Sequence, residues 1–302
     1  MMRFRLFLFL ALLCGLYACS PAPVQVTPIP SAIPSTPTPR PRPSPTASRI
    51  PPTSTATPLT CLDLPPTVES GEIDTTKPPQ QFLIYLPPCY SAETDQRYPV
   101  LYLLHGQTYI DDQWVRLGVP QTANQLILSG QVPPFIVVFP DDRYWNLPTE
   151  AGFGDRVVNV VIPYIDANYR TLADRAHRAV GGLSLGGGWA ARLGLTHYDL
   201  FDSVGLHSPA IRTEDGPYIE NWIKAVPAGS WPRLWIDAGD QDRELSSEMQ
   251  LENMLSYYQV PHEWHMYTGD HSETYWGAHV TEYLQWYSAG WEVDNATPTP
   301  QP

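Results

Sequence analysis

The chain has 302 residues, of which 18 are basic and 31 acidic, and its formal net charge is −13. The first sixty residues contain five arginines and no acidic residue, so the rest of the chain has 13 basic and 31 acidic residues, a formal charge of −18. Such a negative charge argues against binding to nucleic acid and to anionic membrane surfaces.

Residues 1–18 have the composition of an export signal. Two arginines precede an apolar run over residues 6–13, which is too short to span a membrane. The sequence Leu-Tyr-Ala-Cys at residues 16–19 resembles a bacterial lipobox, in which the cysteine is lipidated and becomes the mature N-terminus. Cys19 is therefore the predicted lipid anchor, with an ordinary secretory signal or an uncleaved anchor as alternatives. We expect a protein outside the cytoplasm, anchored by lipid or secreted.

Residues 19–60 consist largely of proline, threonine and serine, a composition that cannot form a packed core. We expect them to be an extended tether, and residues 294–302 to be a disordered tail of similar composition. The remaining residues, 61–293, suit one domain. This domain contains two cysteines, Cys61 and Cys89, which outside the cytoplasm are expected to form a disulfide. Two cysteines alone make a zinc site unexpected.

Short apolar runs alternate with helical patterns through the domain. This alternation predicts an α/β fold with a mostly parallel central sheet and helices on both faces. The predicted strands are residues 81–86, 99–104, 135–139, 179–183, 203–206, 234–238 and 263–267, and the predicted helices are residues 121–129, 155–169, 185–195, 244–258 and 272–287. No long insertion is apparent, so we expect no large lid.

Ser184 stands between a predicted strand and a predicted helix. Gly182 and Gly186 flank it in the pattern G-x-S-x-G, the nucleophile elbow of hydrolases. Glycine is needed two residues to either side because larger side chains would collide in so sharp a turn. The helix that follows directs its free N–H groups and positive end toward the serine.

A serine hydroxyl is a weak nucleophile and needs a base. His271 follows the predicted strand 263–267 and is the expected base. The acid that orients it should follow the strand 234–238, where Asp242 is favoured and Asp240 is the alternative. The order Ser184, Asp242, His271 is the order of α/β-hydrolases. The expected oxyanion donors are the backbone N–H groups of Leu185 and Gln107.

Several aromatic residues lie near predicted loop ends, where they line a substrate pocket or simply pack in the core. The candidates are Trp114, Tyr144, Trp145, Trp189 and Trp276. No metal or cofactor is implied by the sequence.

The chain resembles the putative esterase family of α/β-hydrolases, which includes esterase D, feruloyl and acetyl-xylan esterases, enterochelin esterases and mycolyltransferases. The resemblance extends from about residue 80 to residue 287 and is carried by Tyr85-Leu-Pro-Pro, Val100-Leu-Tyr-Leu-Leu-His-Gly, Val137-Val-Phe-Pro-Asp, Arg178-Ala-Val-Gly-Gly-Leu-Ser-Leu-Gly-Gly, Gly239-Asp-Gln-Asp, Gly269-Asp-His-Ser and Trp276. It assigns Ser184, Asp242 and His271 to the family's catalytic triad. Gln107 and Leu185 stand where the family often has Gly and Met, and neither change removes a catalytic group.

We therefore expect a secreted, lipid-anchored serine esterase that acts on an acylated carbohydrate or a similar extracellular ester. One alternative is an acyltransferase that passes the acyl group to a sugar hydroxyl. Another is a surface-binding protein on a catalytically inactive hydrolase fold. The sequence does not distinguish the acyl group, the leaving group or the oligomeric state.

Overall fold

The computed structural model describes residues 60–142 and 152–291 of the chain. The predicted signal, the lipidation site Cys19 and all but one residue of the predicted tether lie outside these ranges, as do Tyr144, Trp145 and the predicted tail. The expectation that there is no large lid also concerns residues 143–151, so it stays a prediction. Among the residues that the structure describes, no helix has the length and apolarity needed to cross a lipid bilayer.

Eight strands form one sheet in the order β1-β2-β4-β3-β5-β6-β7-β8. The strands are β1 Thr67–Ile73, β2 Gln80–Leu86, β3 Val100–Leu104, β4 Ile136–Pro140, β5 Arg178–Leu183, β6 Ser203–His207, β7 Arg233–Gly239 and β8 Glu263–Tyr267. The β1–β2 and β2–β4 pairs are antiparallel, and all other neighbouring strands are parallel. The mostly parallel sheet predicted from the sequence is confirmed.

Helices cover both faces of this sheet. They are α1 Gln113–Arg116, α2 Val119–Leu128, α3 Phe153–Arg156, α4 Ile162–Asn168, α5 Leu185–Thr196, α6 Gly216–Ala225, α7 Leu245–Tyr257 and α8 Glu273–Ser288. Two buried apolar clusters result, one on each face. One includes Val180 and Trp189, and the other includes Leu103, Trp114 and Trp276. This is the two-faced burial expected of a parallel sheet.

The structure differs from the sequence prediction in four elements. The single helix expected over residues 155–169 is divided, with a π-helical segment at Val157–Val161 between α3 and α4. Pro163 explains the interruption, because it has no N–H to donate to the carbonyl four residues earlier. The strand β1 and the helices α1 and α6 were not predicted. β1 is mostly exposed and polar, so apolar alternation could not identify it.

Cys61 and Cys89 form a disulfide, with Cα atoms 5.0 Å apart, as expected. The bond joins the start of the described chain to the segment that follows β2. Because β2 is antiparallel to β4, its C-terminal residue Leu86 lies at the opposite end of the sheet from the carboxyl ends of the parallel strands. The disulfide is therefore remote from the end of the sheet at which Ser184 lies.

Candidate active site

Ser184 occupies the sharp turn between β5 and α5. Its backbone has φ 54° and ψ −122°, a left-handed conformation that a non-glycine residue adopts only where the surroundings enforce it. A Cβ atom on Gly182 would lie 2.3 Å from the backbone of Gly186, and one on Gly186 would lie 2.2 Å from the carbonyl oxygen of Leu104. These two close approaches explain the glycines of the G-x-S-x-G pattern.

His271 lies within hydrogen-bond distance of Ser184. Its Nε2 is 2.8 Å from the Ser184 Oγ, although the two residues are 87 positions apart in the chain. On the other side of the ring, Nδ1 is 2.8 Å and 3.0 Å from the two carboxylate oxygens of Asp242. The structure thus aligns hydroxyl, imidazole and carboxylate in the order that a serine nucleophile requires.

Asp242 is a buried carboxylate that accepts hydrogen bonds from its neighbours. Burial by itself would raise its pKa, but hydrogen bonds from His271 and from the Glu244 backbone N–H outweigh burial and keep the pKa below its ordinary value. Asp242 is therefore ionised at neutral pH and can accept a hydrogen bond from the Nδ1–H group of His271.

Asp240, the alternative acid, has a different partner. Its Oδ1 accepts a hydrogen bond from the Gly269 backbone N–H at 3.0 Å. In addition, the Gln241 N–H donates to the Gly269 carbonyl at 2.8 Å. Asp240 therefore connects the loop after β7 to the loop that contains His271, and the structure places Asp242 at the imidazole.

Of the two expected oxyanion donors, Gln107 lines the same space as Ser184, and Leu185 follows the serine directly in the chain. Leu185 begins α5 directly after the serine, and Gln107 follows Gly106, on which a Cβ would lie 3.4 Å from the Ser184 Cβ. Within the described ranges, neither the Leu185 nor the Gln107 backbone N–H has a hydrogen-bond partner in the protein. The oxyanion role of these two groups stays a prediction.

Gln113 holds the loop that contains Gln107. The sequence did not point to this glutamine. Gln113 is fully buried, and its Oε1 accepts the Gly106 N–H at 2.8 Å while its Nε2 donates to Glu273 at 3.2 Å. A glutamine seven residues after a glycine has no sequence signature. Only the return of α1 beneath the loop brings the two together.

A cavity of about 470 Å³ opens beside Ser184. Its lining combines polar and apolar groups, and includes Gln107, Tyr109, Gln113, Arg243, Glu273 and Trp276. The Trp276 ring meets the His271 ring edge to face, with centroids 5.0 Å apart. Of the expected pocket aromatics, Trp276 therefore borders the candidate site.

Trp114 and Trp189 do not line this cavity, contrary to the pocket interpretation. Each is 1% exposed. The Trp114 Nε1 donates to the Leu104 carbonyl at 2.9 Å, and Trp189 packs edge to face against Phe153 with centroids 5.5 Å apart. Both residues are core side chains, which their position near loop ends in the sequence did not indicate. Tyr144 and Trp145 lie outside the described residues.

A buried network lies beneath the site. Asp237 is fully buried and accepts hydrogen bonds from His207 at 2.6 Å and from Tyr275 and Tyr283 at 2.8 Å each. Burial opposes ionisation, but the charge and hydrogen bond of His207 and the tyrosine hydroxyls keep the pKa of Asp237 below its ordinary value. His207 in turn accepts the Ser184 N–H through its carbonyl at 3.0 Å. Through this hydrogen bond the buried network holds the backbone of the turn that contains Ser184.

Three potential metal ligands, Asp242, Glu248 and His271, have ligand atoms within 4.8 Å of one another. Two of these residues are already hydrogen-bonded to each other. A cation that used these ligand atoms would have to replace the hydrogen bond between Asp242 and His271. The arrangement therefore fits a carboxylate that orients an imidazole better than it fits a metal centre.

The sequence profile of the family described as "Putative esterase" matches residues 74–287. Among curated proteins, the chain is 31% identical over 180 residues to an endo-1,4-beta-xylanase/feruloyl esterase of Xylanibacter ruminicola, covering 56% of this chain and 24% of that protein. It is 26% identical over 244 residues to Esterase Rv1288 of Mycobacterium tuberculosis, covering 62% of this chain and 51% of that protein. The chain thus spans about a quarter of the length of the first relative and about half of the length of the second.

Solved structures share the fold. A ferulic acid esterase superposes with a TM-score of 0.67 at 24% identity, covering 75% of this chain and all of that one. An S-formylglutathione hydrolase from Staphylococcus aureus gives a TM-score of 0.63 at 19% identity, covering 74% of this chain and 96% of that one. These likenesses establish the α/β-hydrolase fold. Since the family profile covers most of the chain, the protein belongs to the putative esterase family.

Proposed function

We propose that the protein is a serine hydrolase of carboxylic esters. The observation that carries this proposal is the alignment of Ser184, His271 and Asp242 through hydrogen bonds of 2.8 Å on either side of the imidazole. A hydroxyl in this position can transfer its proton to Nε2 as it attacks a carbonyl carbon, while Asp242 stabilises the resulting imidazolium.

The reaction proceeds in two halves. Ser184 Oγ bonds to the ester carbonyl carbon, and the backbone N–H groups of Leu185 and Gln107 bind the oxyanion that forms. His271 returns the proton to the leaving alcohol, which departs and leaves an acyl-serine. Water then attacks the acyl carbon while His271 takes one of its protons. As the second tetrahedral intermediate collapses, His271 passes that proton to Ser184 Oγ, which releases the carboxylic acid and restores Ser184.

For the substrate we propose an acylated carbohydrate or a similar extracellular ester. Two observations support this class. One relative is named as a feruloyl esterase joined to a xylanase, and a structure with the same fold is named as a ferulic acid esterase. The cavity beside Ser184 offers Tyr109 and Trp276 for apolar contact and Arg243 and Glu273 for hydrogen bonding. Export and lipid anchoring at Cys19 remain part of the same proposal.

The test compares the wild type with Ser184→Ala on p-nitrophenyl acetate, followed by a panel of short acyl esters, feruloyl sugars and siderophore esters. We expect the substitution to abolish turnover and feruloyl or acetyl sugars to give the highest kcat/KM. Equal rates for the two proteins would remove the enzyme interpretation. Acyl transfer to added trehalose or glycan, seen by product analysis, would instead favour the acyltransferase alternative.

A further inference from the structure

Glu248 is a buried acid beside the candidate triad. It lies in the first turn of α7 with none of its surface exposed. One oxygen of Glu248, one of Asp242 and a ring nitrogen of His271 all lie within 4.8 Å of one another. Within the described residues, neither carboxyl oxygen of Glu248 has a hydrogen-bond partner. The reaction as derived above does not use this group.

Glu248 and Asp242 face the same region but receive different donors. Asp242 accepts hydrogen bonds from the His271 ring and from the Glu244 N–H near the start of α7. Glu248 receives neither, and its own N–H donates to the Glu244 carbonyl at 3.1 Å. Of the two carboxyl groups, Asp242 is therefore the one that the surroundings stabilise as an anion.

Burial decides the protonation state of Glu248. The helix N-terminus favours a carboxylate only modestly, whereas removal of an unpaired charge from water is far more unfavourable. Burial, together with the negative charges of Asp242, Asp237 and Glu244, raises the pKa of Glu248 to about 9. The pair thus holds one proton at neutral pH, and that proton is on Glu248.

The titratable groups around Glu248 come from four parts of the chain. They are Asp237 on β7, Asp242 and Glu244 before α7, His271 after β8, and Tyr275 on α8. His271 is the basic group of this set. A negative charge on Glu248 would therefore be repelled by two or more existing negative charges. It would also lie close enough to Asp242 and His271 to affect the hydrogen bond between them.

We propose that Glu248 is a positioning residue whose neutral form allows Asp242 to hold His271, and whose loss of a proton at alkaline pH reversibly weakens that contact. The proton passes from the Glu248 carboxylic acid to hydroxide, which becomes water. The added charge repels the Asp242 carboxylate and competes for the His271 ring. The inference rests on the proposed function, since it concerns regulation of the same site.

The first test is the pH dependence of ester hydrolysis between pH 6 and 10.5, with the Ser184→Ala rate subtracted at each pH. We expect the wild type to lose half of its kcat/KM near pH 9 and about 10-fold at pH 10, as a single titration with that midpoint requires. In Glu248→Gln, the pH at which kcat/KM has fallen by half should be higher by at least about one pH unit. Glu252→Gln, the same change one turn further along α7, should follow the wild type. Equal alkaline limbs in wild type and Glu248→Gln would overturn the proposal.

A second measurement separates this inference from the proposed function. The ¹⁵N resonances of His271, assigned by comparison with His271→Gln, should change position as Glu248 loses its proton near pH 9. This change should be seen in the wild type and in Glu252→Gln but not in Glu248→Gln. If no ester is hydrolysed at any pH, the proposed function fails and these resonances still decide the inference. Absence of a wild-type transition near pH 9 contradicts it.

Reversibility and folding serve as controls. Tryptophan fluorescence at pH 9.5 and recovery of activity after return to pH 7.5 distinguish a reversible titration from unfolding, and irreversible loss in the wild type would contradict the proposal. If Glu248→Gln does not fold, Glu248→Met replaces it, since methionine keeps the side-chain length without a titratable group.

Discussion

Asp240 accepts a hydrogen bond from the backbone N–H of Gly269 at 3.0 Å and so connects the two loops that meet at the candidate triad. Asp242, two residues later, contacts the His271 imidazole itself. Neighbouring acids in the same loop thus have separate tasks. One joins the backbones of the loops, and the other accepts a hydrogen bond from the ring.

This separation predicts different consequences for Asp242→Asn and Asp240→Asn. An asparagine at 242 presents an amide that no longer stabilises the imidazolium and favours the wrong tautomer, so we expect kcat to fall by as much as about 10⁴-fold. An asparagine at 240 still accepts the Gly269 N–H through its carbonyl, so we expect a change of less than about threefold. Steady-state kinetics on p-nitrophenyl acetate measures both. Similar losses in the two variants would refute this division of roles.

A second prediction concerns Gln113, which holds the Gly106 N–H and through it the loop of the proposed oxyanion donor Gln107. Gln113→Leu removes the acceptor and leaves the loop less well placed, and a small displacement of a catalytic group lowers the rate strongly. We expect kcat to fall by between about 10- and 100-fold with a smaller change in KM. Gln125→Leu, on the exposed side of α2, is the matched control and should match the wild type.

Gln107 provides the complementary test of the same loop. Its contribution is proposed to come from the backbone, so Gln107→Ala should retain kcat within about threefold, because alanine keeps the N–H. A loss as large as that of Gln113→Leu would mean that the Gln107 side chain itself acts on the substrate, and the oxyanion assignment would have to be revised.

The disulfide between Cys61 and Cys89 should affect stability rather than turnover. It closes a loop of 28 residues and restricts the unfolded chain, so its removal in Cys61→Ser/Cys89→Ser should lower the free energy of unfolding by about 2–4 kcal/mol. Because the bond lies at the far end of the sheet from Ser184, kcat at 25 °C should not change. Denaturant unfolding and kinetics on the double variant check both statements, and a lower kcat in a fully folded variant would contradict them.

The raised pKa of Glu248 also predicts how the stability of the protein depends on pH. In the unfolded chain this acid ionises near its ordinary pKa of 4.5, whereas in the folded protein it keeps its proton up to about pH 9. Between these values the folded state binds more protons than the unfolded state, so the contribution of this group to stability decreases as the pH rises. The limiting slope is about 1.4 kcal/mol per pH unit.

Glu248→Gln should remove that slope. We expect the variant to gain stability relative to the wild type as the pH rises from 5 to 9, with the smallest difference at pH 5. Urea unfolding at a series of pH values measures this, with Glu252→Gln as the reference. A constant difference between wild type and Glu248→Gln across this range would show that Glu248 does not change its protonation on folding.

The arrangement of the sheet was largely predictable from the sequence. Buried parallel strands are continuous apolar runs, and the predicted strands 99–104 and 135–139 agree within one residue with the bounds of β3 and β4. β1 was missed because an exposed edge strand is held by backbone pairing with β2, which leaves no apolar pattern. The division of the helix before β5 follows from Pro163, which was visible in the sequence but whose effect depends on the packing of the flanking turns.

The sequence by itself indicated the turn at Ser184, because the G-x-S-x-G pattern that marks it lies within five consecutive residues. It also indicated the fold class and favoured His271 as the candidate base, through the order of strands and polar residues along the chain. Only the tertiary structure decided between Asp242 and Asp240, assigned Trp114 and Trp189 to the core, and placed Gln113 and Glu248 beside the candidate site. The reason is that these assignments depend on distances between segments that are far apart in the chain, and on burial, neither of which the order of residues specifies.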